Sequence, residues 1–138
     1  MITVTIVNII AVLLTYLQRN NQIRYGFGIA IFLLICFYGI RYDYGNDYMA
    51  YFNHFQSING QTNLELSTDS KDLEWGWVVL NRIFEPVGFF GLVFFLTIVQ
   101  FYSFYRVIAK YVPRNQQYIA LGVYLFSSGL MLTMLSMM

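Results

Sequence analysis

The chain has 138 residues, of which 58% are hydrophobic and only 11% are charged, and its formal net charge is +1. Soluble domains carry roughly 25% charged residues, so this composition indicates an integral membrane protein. The near-zero net charge excludes the basic footprint of a nucleic-acid-binding protein, and the single cysteine, Cys36, excludes a disulfide within the chain.

Four apolar stretches predict an all-α, polytopic fold with about four membrane helices. A spanning helix needs about 20 predominantly apolar residues, and only helices satisfy their backbone in a bilayer without closing a barrel. The stretches run from Ile2 to Leu17, from about Tyr25 to Ile40, from about Val87 to Ala109 and from about Tyr118 to Met138. The first contains polar residues, including Asn8 and Thr15, but it lacks the basic region and cleavage site of a signal peptide. We therefore interpret it as a membrane helix.

The charges predict the orientation of these helices. The first and third loops, with the end of the third helix, contain five basic residues and no acidic one: Arg19, Arg24, Arg106, Lys110 and Arg114. The Lys/Arg bias places both loops in the cytoplasm. Residues 41–86 then form a long extracytoplasmic loop, and all seven acidic residues lie between Asp43 and Glu85.

The end of the chain predicts a larger protein. Residues Leu130 to Met138 stop inside an apolar run without a basic or aromatic flank. We therefore expect residues 1–138 to form a single transmembrane domain that is the N-terminal portion of a longer polytopic protein.

The long loop contains two predicted short helices. Gly45 permits a turn, and after it Tyr48, Tyr51, Phe52 and Phe55 recur at the i, i+3, i+4, i+7 spacing of an amphipathic helix. This pattern predicts a helix over residues 46–56 that lies flat in the membrane interface.

A second helix is predicted to begin at Asp69, Ser70 or Asp72 and to end at or before Pro86. Its polar face carries Glu74, Val78, Asn81 and Glu85, and its apolar side carries Trp75, Val79 and Ile83. Trp75 and Trp77 are placed as members of an interfacial aromatic belt.

Arg41 follows the second apolar stretch at its outer end. Its side chain can snorkel, with the aliphatic stem in the membrane and the guanidinium in the interface. Alternatively, the guanidinium can clamp a phosphate, because its planar fork matches phosphate bidentately and stays charged. A lipid-linked diphosphate presents its phosphates at this depth.

Asp47 and Glu74 are the candidate catalytic residues. Asp47 can cap a helix, and Glu74 can occupy a first turn, where the helix dipole favours an anion. Either carboxylate can also act as a base that accepts a proton from an attacking sugar hydroxyl. One histidine and one cysteine, without metal-ligand spacing, predict no metal site, and no cofactor is implied.

Tyrosines cluster around these residues. Five of the twelve tyrosines fall between positions 38 and 51: Tyr38, Tyr42, Tyr44, Tyr48 and Tyr51. They fit an interfacial aromatic belt. Alternatively, members of the cluster form aromatic platforms for sugar rings, which makes Tyr44 and Tyr51 candidate substrate-binding residues.

The order of these residues resembles a known family. Arg41-x-x-x-Gly45-x-Asp47-x-x-x-Tyr51, followed by Glu74-x-Gly76-x-x-x-Leu80-Asn81, is similar to the EpsG family of membrane proteins, which resembles the Wzy-type polysaccharide polymerases. The resemblance implies an enzyme of the bacterial cytoplasmic membrane that joins oligosaccharide repeat units carried on polyprenyl diphosphate. It also implies substrate-binding roles for Arg41, Tyr51 and Asn81.

The resemblance carries further expectations. Other polysaccharide-export membrane proteins are possible partners beside the lipid-linked oligosaccharide and the bilayer. Family members are longer and have a further Arg-containing region after a helix like that at 121–138, so we expect this chain to be inactive alone. The alternative function is a non-enzymatic transport or assembly component that holds or moves lipid-linked glycan.

Overall fold

A computed structural model describes residues 2–40, 48–60 and 75–127, and all regular secondary structure in these ranges is helical. This confirms the predicted all-α class for the described part of the chain. In chain order the helices are α1 (Ile2–Arg19), α2 (Gly26–Gly39), α3 (Tyr48–Gly60), α4 (Trp75–Ile83), α5 (Gly88–Tyr111) and α6 (Gln117–Phe126).

The four apolar helices α1, α2, α5 and α6 pack around one core. Helix α2 contacts α1 and α5, and α6 packs against α1 and α5. The core contains ten buried residues: Ala11, Phe27, Ala30, Ile31, Leu34, Tyr38, Phe101, Ile108, Leu121 and Leu125. Consecutive apolar helices run in opposite directions, so the loops α1–α2 and α5–α6 lie at the same end of the bundle.

Two glycines of α2 permit close helix approach. A Cβ atom at Gly39 would collide with the ring of Phe94 on α5, and one at Gly26 would collide with the carbonyl of Leu14 on α1. Small residues at such crossings let membrane helices pack closely. The ends of α2 are therefore fixed against both of its neighbours.

Helix α1 is polar on its inner side and apolar on its outer side. Asn8, Thr15 and Gln18 are buried, whereas the residues Ile2, Ile6, Ile9, Ile10 and Leu13 are exposed. The Tyr38 hydroxyl donates to Asn8 Oδ1 at 2.9 Å, and the Thr15 hydroxyl donates to the Ala11 carbonyl at 3.0 Å. Polar residues of membrane helices typically face the bundle interior, so this distribution favours a lipid-facing outer side for α1.

Two of the predicted spans are long and apolar enough to cross a membrane by length and composition, namely α1 with 18 residues and α5 with 24. Helices α2 and α6 are apolar but shorter within the described ranges, with 14 and 10 residues. The arrangement of four spans therefore stays a prediction. Residues 128–138 of the fourth predicted stretch lie outside the described residues.

Helix α3 packs through its aromatic face on the first turn of α5. The helix predicted over 46–56 is present from Tyr48 and extends to Gly60. Tyr48 and Phe55 are buried, and the rings of Tyr48, Phe52 and Phe55 lie 5.2, 5.7 and 5.6 Å from that of Phe89. Three rings of the aromatic face therefore contact protein, and Tyr51 of the same face is exposed. That α3 lies in the membrane interface stays a prediction.

Helix α4 ends before Pro86, as predicted. Asn81 is fully buried, whereas Val79 and Ile83 are exposed. Trp77 and Leu80 are partly buried against the cluster that contains Phe89, so polar and apolar residues of α4 both contact protein.

Candidate functional site

The candidate residues occur on and around α3 and α4. Tyr51 lies on α3 and Asn81 on α4, whereas Arg41, Tyr44, Asp47 and Glu74 lie outside the described residues. Arg41 to Asp47 connect the end of α2 to the start of α3, and Glu74 directly precedes α4. No geometry joins the two predicted carboxylates to Arg41, so their convergence stays a prediction.

The helix ends on both sides of the segment 41–47 rest on α5. Gly39, the last residue of α2, lies against Phe94. Tyr48, the first residue of α3, has its ring 5.2 Å from that of Phe89, in an edge-to-face arrangement. The residues on either side of the segment that carries Arg41, Tyr44 and Asp47 therefore contact positions on α5 that are less than two helical turns apart.

Tyr51 forms an exposed aromatic pair with Trp77. Their ring centroids are 5.9 Å apart with an interplanar angle of 67°, and Tyr51 is 47% exposed. This geometry belongs to the edge-to-face class of aromatic contacts. An exposed aromatic ring can pack against the apolar face of a sugar ring. Sequence reasoning assigned Trp77 to a membrane belt and missed this contact, since the two residues lie on different helices.

Gly76, which precedes Trp77 on α4, has open space around it. A Cβ atom at Gly76 would meet nothing within 4 Å among the described residues, and Gly88 alone among their glycines has a positive φ. Neither packing nor backbone conformation in the described part therefore requires glycine at position 76. A glycine within a helix destabilises it by roughly 0.5–1 kcal/mol relative to alanine. An approaching ligand is one reason to keep the position small.

Asn81 joins α4 to α3. Its Nδ2 donates to the Trp77 carbonyl at 2.7 Å, and its own carbonyl accepts a 3.5 Å hydrogen bond from Asn59 Nδ2. The Oδ1 atoms of Asn59 and Asn81 are buried and have no hydrogen-bond donor within the described ranges. The Asn81 side chain is buried. A substrate could therefore contact Asn81 Oδ1 directly only if one of its hydrogen-bond donors entered the interface between α3 and α4. Its substrate-binding role stays a prediction.

The basic loops lie at the opposite end of the bundle. Arg114 donates from its guanidinium to the Arg24 carbonyl, and Arg19 Nη1 donates to the Tyr118 hydroxyl at 2.9 Å. Glu85, the one acidic residue in the described part, lies just before α5, whose 24 residues span about 36 Å at the usual helical rise. The described basic residues of the first and third loops therefore lie toward one end of the bundle, and Glu85 lies toward the other end together with Arg82 of α4.

Comparison with protein-family models matches residues 24–138 to the EpsG family. The matched range includes α2 to α6 and every candidate site residue, and it leaves α1 outside. Comparisons with curated proteins and with solved structures find no match.

Proposed function

Because the chain belongs to the EpsG family, a membrane-associated family, we propose that it is a bacterial envelope glycan polymerase or the N-terminal portion of one. The observation that carries this proposal is the family match over residues 24–138, which contains both motifs around Arg41 and Glu74. The product is an exopolysaccharide, a capsule or an O-antigen. The chain itself supplies part of the site, and the complete protein performs the reaction.

The reaction transfers a growing glycan between lipid carriers. A sugar hydroxyl of one lipid-linked oligosaccharide attacks the anomeric carbon of another, a new C–O bond forms, and the bond from that carbon to the diphosphate breaks. Polyprenyl diphosphate leaves with the bonding electrons. The hydroxyl proton passes to a carboxylate, Asp47 or Glu74, acting as general base. Arg41 stabilises the negative charge on the departing diphosphate.

The α3–α4 surface receives the glycan. Tyr51 presents an exposed ring beside Trp77, and the space at Gly76 allows a sugar to approach the same surface. Tyr44 adds a second aromatic platform, and Asn81 contributes its buried amide through the α3–α4 contact. Both helix ends next to the segment 41–47 rest on α5, which supports a substrate site at this end of the bundle.

The site faces outward from the bacterial cytoplasmic membrane, and the protein is multi-pass. The basic first and third loops face the cytoplasm, and residues 41–86 are extracytoplasmic. The contact between Arg114 and Arg24 supports a shared side for the two basic loops. Repeat units on polyprenyl diphosphate then reach Arg41 from the outer leaflet.

The test uses three conservative variants of the complete protein. Arg41→Lys retains the charge but loses the planar fork, and Asp47→Asn and Glu74→Gln retain size but lose basicity. We expect Arg41→Lys and at least one carboxylate variant to abolish polymer while the amount of protein in the membrane is unchanged. Asn caps helices about as well as Asp, so Asp47→Asn separates capping from catalysis.

Matched controls are available on the same chain. Arg106→Lys and Glu85→Gln make the same chemical changes at exposed positions and should retain normal polymer. Normal polymer from all three site variants would refute the polymerase assignment of these residues. The transport or assembly function would then be the better explanation.

A further inference from the structure

A cavity of about 830 Å³ lies at the basic end of the bundle, away from the α3–α4 surface. It is bounded by the end of α1, the start of α2, the end of α5 and the start of α6. Three cationic side chains line it, those of Arg24, Lys110 and Arg114. The proposed polymerase reaction does not use this cavity.

The described contacts of these cations do not neutralise their charge. Arg24 lies 5.4 Å from the centre of the Tyr25 ring, Lys110 lies 5.1 Å from that of Tyr111, and Arg114 donates to the Arg24 carbonyl. The sequence has no acidic residue before Asp43 or after Glu85. The segments that form the cavity therefore bring three positive charges together without a carboxylate of their own.

Two helix N-termini add to the positive potential. Phe27 and Gly28 of the first turn of α2 line the cavity, as does Gln117, the first residue of α6. Neither helix has a hydrogen bond from the side chain of its N-cap residue. Helix N-termini attract anions because their N–H groups and the helix dipole point toward the ligand.

Two buried glutamines hold the floor of the cavity in place. Gln18 Nε2 donates to Gln117 Oε1 at 3.0 Å, and the Phe27 amide donates to Gln18 Oε1 at 2.9 Å. These bonds connect α1, α2 and α6 through side chains that are 5% and 7% exposed. The cavity is therefore preorganised, since its shape depends on a satisfied interior network.

We propose that this cavity binds a phosphate group, supplied by the headgroup of an anionic phospholipid. Arg24 and Arg114 bind the phosphate oxygens through their guanidinium groups, and Lys110 contributes a third positive charge. The exposed rings of Tyr25 and Tyr111 lie beside the cations, as expected at headgroup depth. Basic pockets between membrane helices on the cytoplasmic side bind lipid headgroups in this way.

The experiment measures thermal unfolding of the purified complete protein in neutral detergent. Phosphatidylglycerol, phosphatidylcholine and inorganic phosphate are added in separate titrations. We expect phosphatidylglycerol to raise the midpoint temperature and phosphatidylcholine to leave it unchanged. If inorganic phosphate raises the midpoint temperature as much as phosphatidylglycerol does, the proposal that a lipid headgroup supplies the phosphate is wrong.

Variants locate the binding site. Arg24→Gln with Arg114→Gln should weaken the apparent affinity for phosphatidylglycerol about tenfold or more, because charge-assisted hydrogen bonds are lost. Lys110→Gln is a second variant with an exposed side chain, and it should also weaken binding. Arg106→Gln removes an exposed charge of α5 outside the cavity and should bind like the unmodified protein. Unchanged binding by the cavity variants, or equal loss in Arg106→Gln, would overturn the site.

Discussion

The hydrogen bond between Asn8 and Tyr38 explains how a polar residue is tolerated in the first apolar stretch. Both side chains are buried, and the Tyr38 hydroxyl donates to Asn8 Oδ1 at 2.9 Å. The sequence reveals that Asn8 is polar, but it does not reveal a partner thirty residues away. The local pattern therefore predicted the helix without predicting what satisfies it.

Tyr38→Phe tests this bond because it removes only the hydroxyl group that donates to Asn8. The substitution leaves the Asn8 acceptor buried without this donor, so we expect a loss of about 1 kcal/mol in the free energy of unfolding. Combining it with Asn8→Leu should recover part of the loss, because neither polar partner then remains. Reversible denaturation in mixed detergent measures both. A Tyr38→Phe variant as stable as the unmodified protein would show that the bond contributes nothing.

Gly76 gives a residue-scale test of the glycan surface. Gly76→Ala should raise the free energy of unfolding by up to about 1 kcal/mol, since alanine favours helix and its Cβ has open space. If a sugar approaches beside Trp77, the same change should lower polymer output from the complete protein. Gly60→Ala, which also has open space in α3, is the control and should leave polymer unchanged. A normal amount of polymer from Gly76→Ala would contradict glycan binding at this surface.

At the scale of elements, α3 and α4 show what periodicity can and cannot predict. The spacing of Tyr48, Tyr51, Phe52 and Phe55 predicted a helix with one aromatic face, and the helix is present. The spacing does not tell whether lipid or protein covers that face, since both are apolar. The sequence likewise does not tell which side of α4 packs against protein: Asn81 is buried, whereas Val79 and Ile83 are exposed.

Phe89 should hold α3 on the bundle, because it contacts three aromatic rings of that helix. Phe89→Ala should lower the free energy of unfolding by about 3–5 kcal/mol. Phe89→Ala should also increase the rate of amide hydrogen exchange in α3 more than in α2. The adjacent Phe90 is exposed, so Phe90→Ala should leave the exchange of α3 unchanged. Similar exchange in both variants would contradict the anchoring role.

At the scale of the whole molecule, charge predicted more than periodicity did. The five basic residues of the first and third loops predicted that these loops share a side, and the structure brings Arg114 to Arg24. A charge count depends only on loop composition and needs no knowledge of side-chain packing, and the cytoplasmic placement of these loops stays a prediction. A charge count does not predict whether Asp47 and Glu74 converge, because convergence depends on how the segments between them fold. Both residues lie outside the described residues, so their convergence stays a prediction.

Fusions to a reporter that works only in the cytoplasm test the orientation. Fusions near Asn20 or Asn115 should be active, and a fusion near Gly60 should be silent. A periplasm-dependent reporter at the same three positions is the control and should give the opposite result. Cytoplasmic activity near Gly60 would invert the topology and place the proposed polymerase site on the wrong side of the membrane.

The long-range partners of α1 have a consequence for how the protein is made. The hydrogen-bond partner of Asn8, Tyr38, lies thirty residues later in the chain, and that of Gln18, Gln117, lies ninety-nine residues later. Synthesis proceeds from the N-terminus, so α1 is produced before α2 and α6, and Gln18 acquires Gln117 as a partner only when α6 emerges. Once α2 is present, Asn8 has the Tyr38 hydroxyl and Gln18 Oε1 has the Phe27 amide, but Gln18 Nε2 still lacks Gln117. Helix α1 is thus made before the helices that complete its polar contacts.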